Sequence, residues 1–298
     1  MIFQKLSVIS NNSKFAVRAL SQLQPVRLAY AAYESTSPII APSPIPLIVN
    51  HGLFGSKANW NSLCKVYHNK TNRKVIAVDA RNHGDSPHTP QHSYEYMVAD
   101  LKYLIENLNF SKVALLGHSM GGRAVMLFAL KYPSLVERLI VADISPVTTS
   151  PNLKTMPGLF GILKNVQLPH KMPLSTARAQ IDSYLARSLS DKGLRSFLLT
   201  NLIQAEDGSY SWRINIPALM SNFGDIAKFP ATGNMTYSGP VLFIGGGKSD
   251  YIQRSDEAGI KRFFPNAELK YIEGAGHWLH SEKPTEFLQD TVHFLNKS

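Results

Sequence analysis

A serine stands between glycines in Gly117-His118-Ser119-Met120-Gly121-Gly122, and the residues on either side decide what it can do. Before it runs the apolar stretch Lys112-Val113-Ala114-Leu115-Leu116. After it comes Arg123-Ala124-Val125-Met126-Leu127-Phe128-Ala129-Leu130, patterned as a helix. A strand that ends at a serine, with a helix starting one residue later, makes a tight and strained turn. Glycine two places to each side removes the Cβ atoms that would collide there. Such a turn presents Ser119 Oγ as a nucleophile at the positive end of a helix, where the backbone N–H of Met120 can meet a developing oxyanion. The plainer alternative is a serine that caps a helix in an ordinary turn; the buried-type strand just before it favours the nucleophile.

A serine nucleophile needs a base. Among the 10 histidines, His277 lies near the end of the chain in Gly274-Ala275-Gly276-His277-Trp278, behind the short strand pattern Leu269-Lys270-Tyr271-Ile272. Its neighbouring glycines leave the imidazole on a loop, and the order of nucleophile first and histidine last suits a serine at such an elbow. His83, His88, His92, His118 and His280 read as ordinary surface or core histidines. Two aspartates can orient the base. Asp143 ends the core strand in Leu139-Ile140-Val141-Ala142-Asp143-Ile144-Ser145-Pro146, and Asp250 follows the strand Val241-Leu242-Phe243-Ile244. Either carboxylate can hold the Nδ1–H tautomer of His277 and stabilise the imidazolium. Each also has a plain reading, Asp143 as a cap where the chain leaves the sheet and Asp250 as a solvated loop residue.

These groups need a rigid frame. Pro25 to Tyr33 reads as an edge strand and the Pro- and Ser-rich stretch from Ser35 to Pro46 as a turn leading inward; Lys74 to Val78 is a buried-type strand and Tyr94 to Leu108 has helical spacing. Short apolar strands alternating with helices predict a mostly parallel central sheet with helices on both faces. Ligands of such sheets sit beyond the carboxyl ends of the strands, where Ser119, Asp143, Asp250 and His277 all fall.

Between Pro146 and about Tyr237 the pattern changes. Prolines punctuate helical stretches near Ser175 to Leu189 and Lys192 to Gln204, with no buried strand between them, which predicts a helical cap inserted at about 147–237. Its apolar residues Met156, Leu159, Phe160, Ile162, Leu163, Tyr184, Phe197, Trp212, Leu219, Met220 and Phe223 can line an acyl pocket or form the cap's own core.

At 298 residues and 44% hydrophobic content the chain can bury a large core, and one domain over 26–298 accommodates the insertion. The single cysteine, Cys64, excludes an intramolecular disulfide and reads as a small apolar helix residue. No Cys-x-x-Cys pair or Gly-rich phosphate loop is present, so neither a metal nor a cofactor is expected. The net charge of +10 is spread along the chain, which argues against nucleic acid as a partner. Residues 1–25 hold Lys5, Lys14 and Arg18, several Ser and Asn, and no acid, the composition of a mitochondrial transit peptide. The alternative is an unprocessed tail on a cytoplasmic enzyme. No run approaches the ~20 apolar residues of a transmembrane helix.

The motifs Asn50-His51-Gly52-Leu53-Phe54-Gly55-Ser56, Asp79-Ala80-Arg81-Asn82-His83-Gly84-Asp85-Ser86, Gly117 to Gly122 and Asp143-Ile144-Ser145-Pro146-Val147 resemble, as a set, the α/β-hydrolase domain-containing protein 11 family. The resemblance spans Pro46 to Val147, resumes at Ser238 and is weakest between about 150 and 235. It implies the α/β-hydrolase fold and a mitochondrial serine esterase or lipase of the matrix, acting on acyl esters and in some members on diacylglycerol. In hydrolases of that fold the loop after the strand ending at Asn50 supplies the second oxyanion donor, here the N–H of Leu53 with Phe54 as the fallback, while His51 braces the loop. In that family the aspartate of Asp-Ile-x-Pro can be the triad acid and the position matching Asp250 need not be acidic, which favours Asp143, although this chain has both. The competing reading is a non-catalytic ligand receptor or mitochondrial interaction protein that keeps the fold.

Overall fold

The computed structural model describes residues 23–35 and 43–297. The expected transit segment, 1–25, lies outside them except for its last three residues. Seven strands, β1 (Tyr30–Tyr33), β2 (Ser43–Asn50), β3 (Arg73–Val78), β4 (Val113–His118), β5 (Val136–Ala142), β8 (Val241–Gly246) and β9 (Ala267–Ile272), form one sheet in the order β1-β3-β2-β4-β5-β8-β9. Only β1, at the edge, runs antiparallel to its neighbour; the other pairings are parallel. The expected edge strand is thus present but confined to the end of its predicted span.

Side chains alternate across the sheet because successive residues of a strand point to opposite faces. Ile48, Ile76, Leu115, Val141 and Phe243 pack on one side with the helices Tyr94–Asn107, Met120–Lys131 and Glu257–Phe263. Val49, Val75, Leu116, Ile140 and Leu242 pack on the other with the helices Asn61–Thr71 and Pro284–Asn296. Both faces are covered, which is why the strands read as unbroken apolar runs. Cys64 is buried in the second cluster, and desolvation pushes its thiol up to about 12.

The segment between β5 and β8 builds a third cluster of its own around Phe160, Ile181, Leu185, Leu198 and Leu219, and Phe54 of the loop after β2 joins it. This cap is not purely helical. Its helices Leu174–Leu185 and Lys192–Leu199 are followed by a two-stranded antiparallel hairpin, β6 (Leu202–Gln204) and β7 (Tyr210–Trp212), where a helix was expected to run on to Gln204. The signal for the hairpin is Asp207-Gly208, with Gly208 at φ +84°, a conformation that glycine adopts without penalty in a tight reversal.

Candidate active site

The elbow forms where β4 ends. Ser119 has φ +52° and ψ −120°, outside the regions ordinary residues prefer, and its N–H is tied to Ala142 O at 3.0 Å. Strain of this kind persists only when the surroundings fix it. A Cβ on Gly117 would lie 2.4 Å from Gly121 O, and one on Gly121 would lie 2.4 Å from Asn50 O. Only glycine lets the helix Met120–Lys131 sit this close to β4 and β2. Met120 is the first residue of that helix, so its N–H has no acceptor within the helix and is available to a ligand.

Asp143 lies one residue past β5, itself at φ +50°, with its N–H on Ile244 O at 2.9 Å. Its side chain is fully buried. Four lone-pair positions of a carboxylate need partners there. Oδ1 accepts the N–H of Gly246 at 2.8 Å, and Oδ2 accepts the hydroxyl of Ser249 and stands 2.7 Å from His277 Nδ1. His277 Nε2 is 3.0 Å from Ser119 Oγ. With Nδ1 donating to Asp143, Nε2 is left as acceptor for the serine proton. The imidazole stacks on Tyr251, ring centres 3.7 Å apart and planes 17° from parallel. Ser119, His277 and Asp143 are therefore brought into one relay. Asp250 is not part of it: its carboxylate accepts from Ser150 Oγ at 2.7 Å and Asn152 Nδ2 at 3.2 Å, tethering the start of the cap.

The loop after β2 lies beside the elbow because Asn50 pairs with Gly117 in the sheet register. Phe54 is disqualified as an oxyanion donor, since its N–H already donates to His83 Nε2 at 3.2 Å. That leaves Leu53 as the candidate donor of this loop. His51 does brace it: Nδ1 donates to Gly52 O at 2.8 Å and Nε2 accepts the N–H of Ala80 at 3.0 Å. Burial lowers the pKa of His51 and takes that of His83 well below its ordinary value, so both remain neutral and keep these tautomers.

A cavity of about 360 Å³ opens onto Ser119 and His277, within the ~300–1,000 Å³ range of small-ligand sites. Its walls include Leu53, Leu153, Met156, Leu159, Leu194, Phe197 and Trp278. Of the cap residues expected to line it, Met156, Leu159 and Phe197 do. Phe160, Leu163 and Leu219 are buried in the cap core; Ile162, Tyr184, Trp212 and Phe223 pack against that core, and Met220 is exposed. A second cavity of about 450 Å³ shares Leu194, Phe197 and Trp278 and adds the polar Ser281 and Glu282.

Sequence reasoning missed two supporting residues, His118, whose contact joins distant segments, and Glu282, whose contacts are local. His118, read as an ordinary histidine, places Nε2 2.8 Å from the carbonyl of His277. Burial lowers its pKa well below the usual value, so it sits neutral behind the base. Glu282 accepts the N–H of Gly276 at 2.7 Å and that of Trp278 at 3.3 Å, clasping the chain on both sides of His277.

The α/β-hydrolase fold family matches the chain over residues 45–284. The chain is 43% identical over 275 residues to the sn-1-specific diacylglycerol lipase ABHD11 of Mus musculus, covering 92% of this chain and 87% of that protein. With the protein of the same name from Danio rerio it shares 40% over 289 residues, 97% of this chain and 89% of the relative. Among solved structures, a marine microorganism esterase at 39% identity superposes with a TM-score of 0.81 over 90% of this chain and 99% of its own.

Proposed function

The chain belongs to the α/β-hydrolase fold family and is a serine ester hydrolase, and we propose that Ser119, His277 and Asp143 carry its chemistry on lipid acyl esters. Ser119 Oγ attacks the acyl carbon while His277 Nε2 takes its proton, and Asp143 steadies the imidazolium that results. The negative charge on the carbonyl oxygen is met by the N–H groups of Leu53 and Met120. Collapse of this tetrahedral species breaks the ester C–O bond, and His277 returns the proton to the departing alcohol. Water then attacks the acyl-serine with the same base and frees the carboxylic acid.

The observation that carries this reading is the relay itself, with 2.7 Å between Asp143 and His277 and 3.0 Å between His277 and Ser119. The apolar walls at Leu153, Met156 and Leu159 suit an acyl chain, and the adjoining polar-rimmed cavity gives room for the alcohol. The names of the relatives support diacylglycerol as one such substrate. The basic, acid-free segment 1–25 supports a mitochondrial location. A fluorophosphonate should label the native chain at Ser119, and Ser119→Ala should remove both labelling and turnover of p-nitrophenyl and glycerolipid esters while the thermal midpoint stays put. Failure of the native chain to label would favour the non-catalytic receptor instead.

A further inference from the structure

The motif Asp79 to Ser86 and the cap meet at one residue of the oxyanion loop, Phe54. Gly55 N–H donates to Gly52 O at 3.0 Å, closing a four-residue turn with Leu53 and Phe54 at its centre. Phe54 has φ +63° whereas Leu53 keeps a negative φ. That combination is a type II turn, whose third position ordinarily goes to glycine or asparagine. A bulky residue there must be held from outside.

Two contacts hold it. On the sheet side, His83 Nε2 accepts the Phe54 N–H at 3.2 Å. On the cap side, Asn201 Nδ2 donates to Phe54 O at 2.8 Å. Asn201 is 2% exposed and follows the helix Lys192–Leu199, its own N–H on Leu198 O at 3.0 Å. Leu194 and Phe197 of that helix line the cavity above Ser119. The two peptide planes that flank Phe54 are thus pinned from opposite directions, one by the core and one by the cap, and their setting fixes where the preceding Leu53 N–H points.

We propose that Asn201 is a positioning residue for the oxyanion hole, through which the seating of the cap sets the aim of the Leu53 N–H. The inference rests on Leu53 being an oxyanion donor, and the two can be tested apart. Leu53→Pro deletes that N–H outright, and proline is favoured at the second position of a type II turn, so the turn is retained. Loss of one oxyanion donor should lower kcat by about 10²- to 10³-fold. Full activity in Leu53→Pro would remove the parent reading.

Asn201→Leu keeps the branched shape but cannot donate. If the aim of the Leu53 N–H depends on it, kcat for p-nitrophenyl butyrate should fall by about 10- to 100-fold with KM within about twofold. The inhibition constant of a trifluoromethyl ketone, whose serine adduct places an oxyanion in the hole, should rise in step with the loss of kcat. Asn201→Asp, which keeps the shape and offers a carboxylate in place of the amide, should show the same pair of changes. A drop in thermal midpoint with kcat and ketone affinity unchanged would overturn the proposal. So would failure of both variants to fold, since Asn201 would then be a structural residue only.

Discussion

Asp143 Oδ2 stands 2.7 Å from His277 Nδ1 with its side chain fully buried, while Nε2 of the same ring stands 3.0 Å from Ser119 Oγ. The same oxygen accepts from Ser249, and the other is held by Gly246 N–H, so the carboxylate has little freedom to turn away. Among the described residues Asp250 accepts hydrogen bonds from Ser150 and Asn152, at the start of the cap.

Asp143→Asn should therefore reduce kcat by about 10²- to 10⁴-fold, because an amide facing Nδ1 no longer enforces the correct tautomer or balances the imidazolium. Asp250→Asn should cost far less, reading mainly as a loosened cap. Steady-state kinetics on a p-nitrophenyl ester compares them directly, and the opposite ranking would transfer the role to Asp250.

The elbow, the loop that carries His277 and the strands behind them could be read from sequence because each depends on neighbours within a few residues: an apolar run, a glycine pair, a turn. Asp143 and Asp250 could not be separated that way, since both follow core strands and only the loop from Gly246 to Tyr251 decides which carboxylate points inward. His83, His118 and Asn201 were invisible as supports of the site. Their partners lie 29, 159 and 147 residues away, distances over which spacing carries no signal. The cap wall was half legible: hydrophobicity marks Phe160 and Leu159 alike, yet one fills the cap core while the other also faces the cavity.

Gly121→Ala and Gly161→Ala should have opposite effects. A methyl at Gly121 would lie 2.4 Å from Asn50 O and force the elbow away from the oxyanion loop. Overpacking of this kind costs about 1–3 kcal/mol, and a shift of the reacting groups by an ångström can cost about 10²-fold in rate. Gly161 lies inside the helix Met156–Lys164, and among the described residues outside that helix's own backbone nothing lies within 4 Å of an added Cβ. Alanine there should stabilise by about 0.5–1 kcal/mol. Chemical denaturation of the two variants beside their kinetics checks both signs.

Acid should unfold the protein through buried histidines. Burial, with the nearby His277, lowers His280 from 6.5 to about 3, and burial together with Arg81 and His51 does the same to His92. Between those values the unfolded chain binds a proton at each position and the folded chain does not, so stability falls as pH falls through this window and is insensitive to these groups above it. Each contributes about 1.4 kcal/mol per pH unit. His280→Phe keeps a ring on Trp60, where the imidazole now stacks at 4.4 Å, and removes the titration. Urea unfolding followed from pH 6.5 downward should give a slope shallower than the parent by about that amount; an unchanged slope would show that His280 does not titrate on unfolding.

The amino terminus should tolerate removal up to a sharp boundary. Val26 N–H donates to Asp100 Oδ1 at 2.7 Å, and Asp100 is in turn held by the buried guanidinium of Arg81. Leu28 is 4% exposed in the core, and Ala29 is bonded to Ser86 Oγ and to the N–H of Asp79. A chain that begins at Gln24 keeps all of these contacts and should retain kcat/KM and its thermal midpoint. Deletion through Leu28 removes a donor from a buried carboxylate, about 1.5–3 kcal/mol, and a core side chain worth about 1.5–3 kcal/mol more. It also frees the segment that holds Asp79 and Ser86, which underlies the oxyanion loop, so activity should fall along with stability. If residues 1–23 address the chain to mitochondria, isolated organelles should import and shorten the full chain and leave the one starting at Gln24 outside. Equal import of both would remove the transit reading without touching the enzymatic one, because the boundary at Val26 is set by the fold.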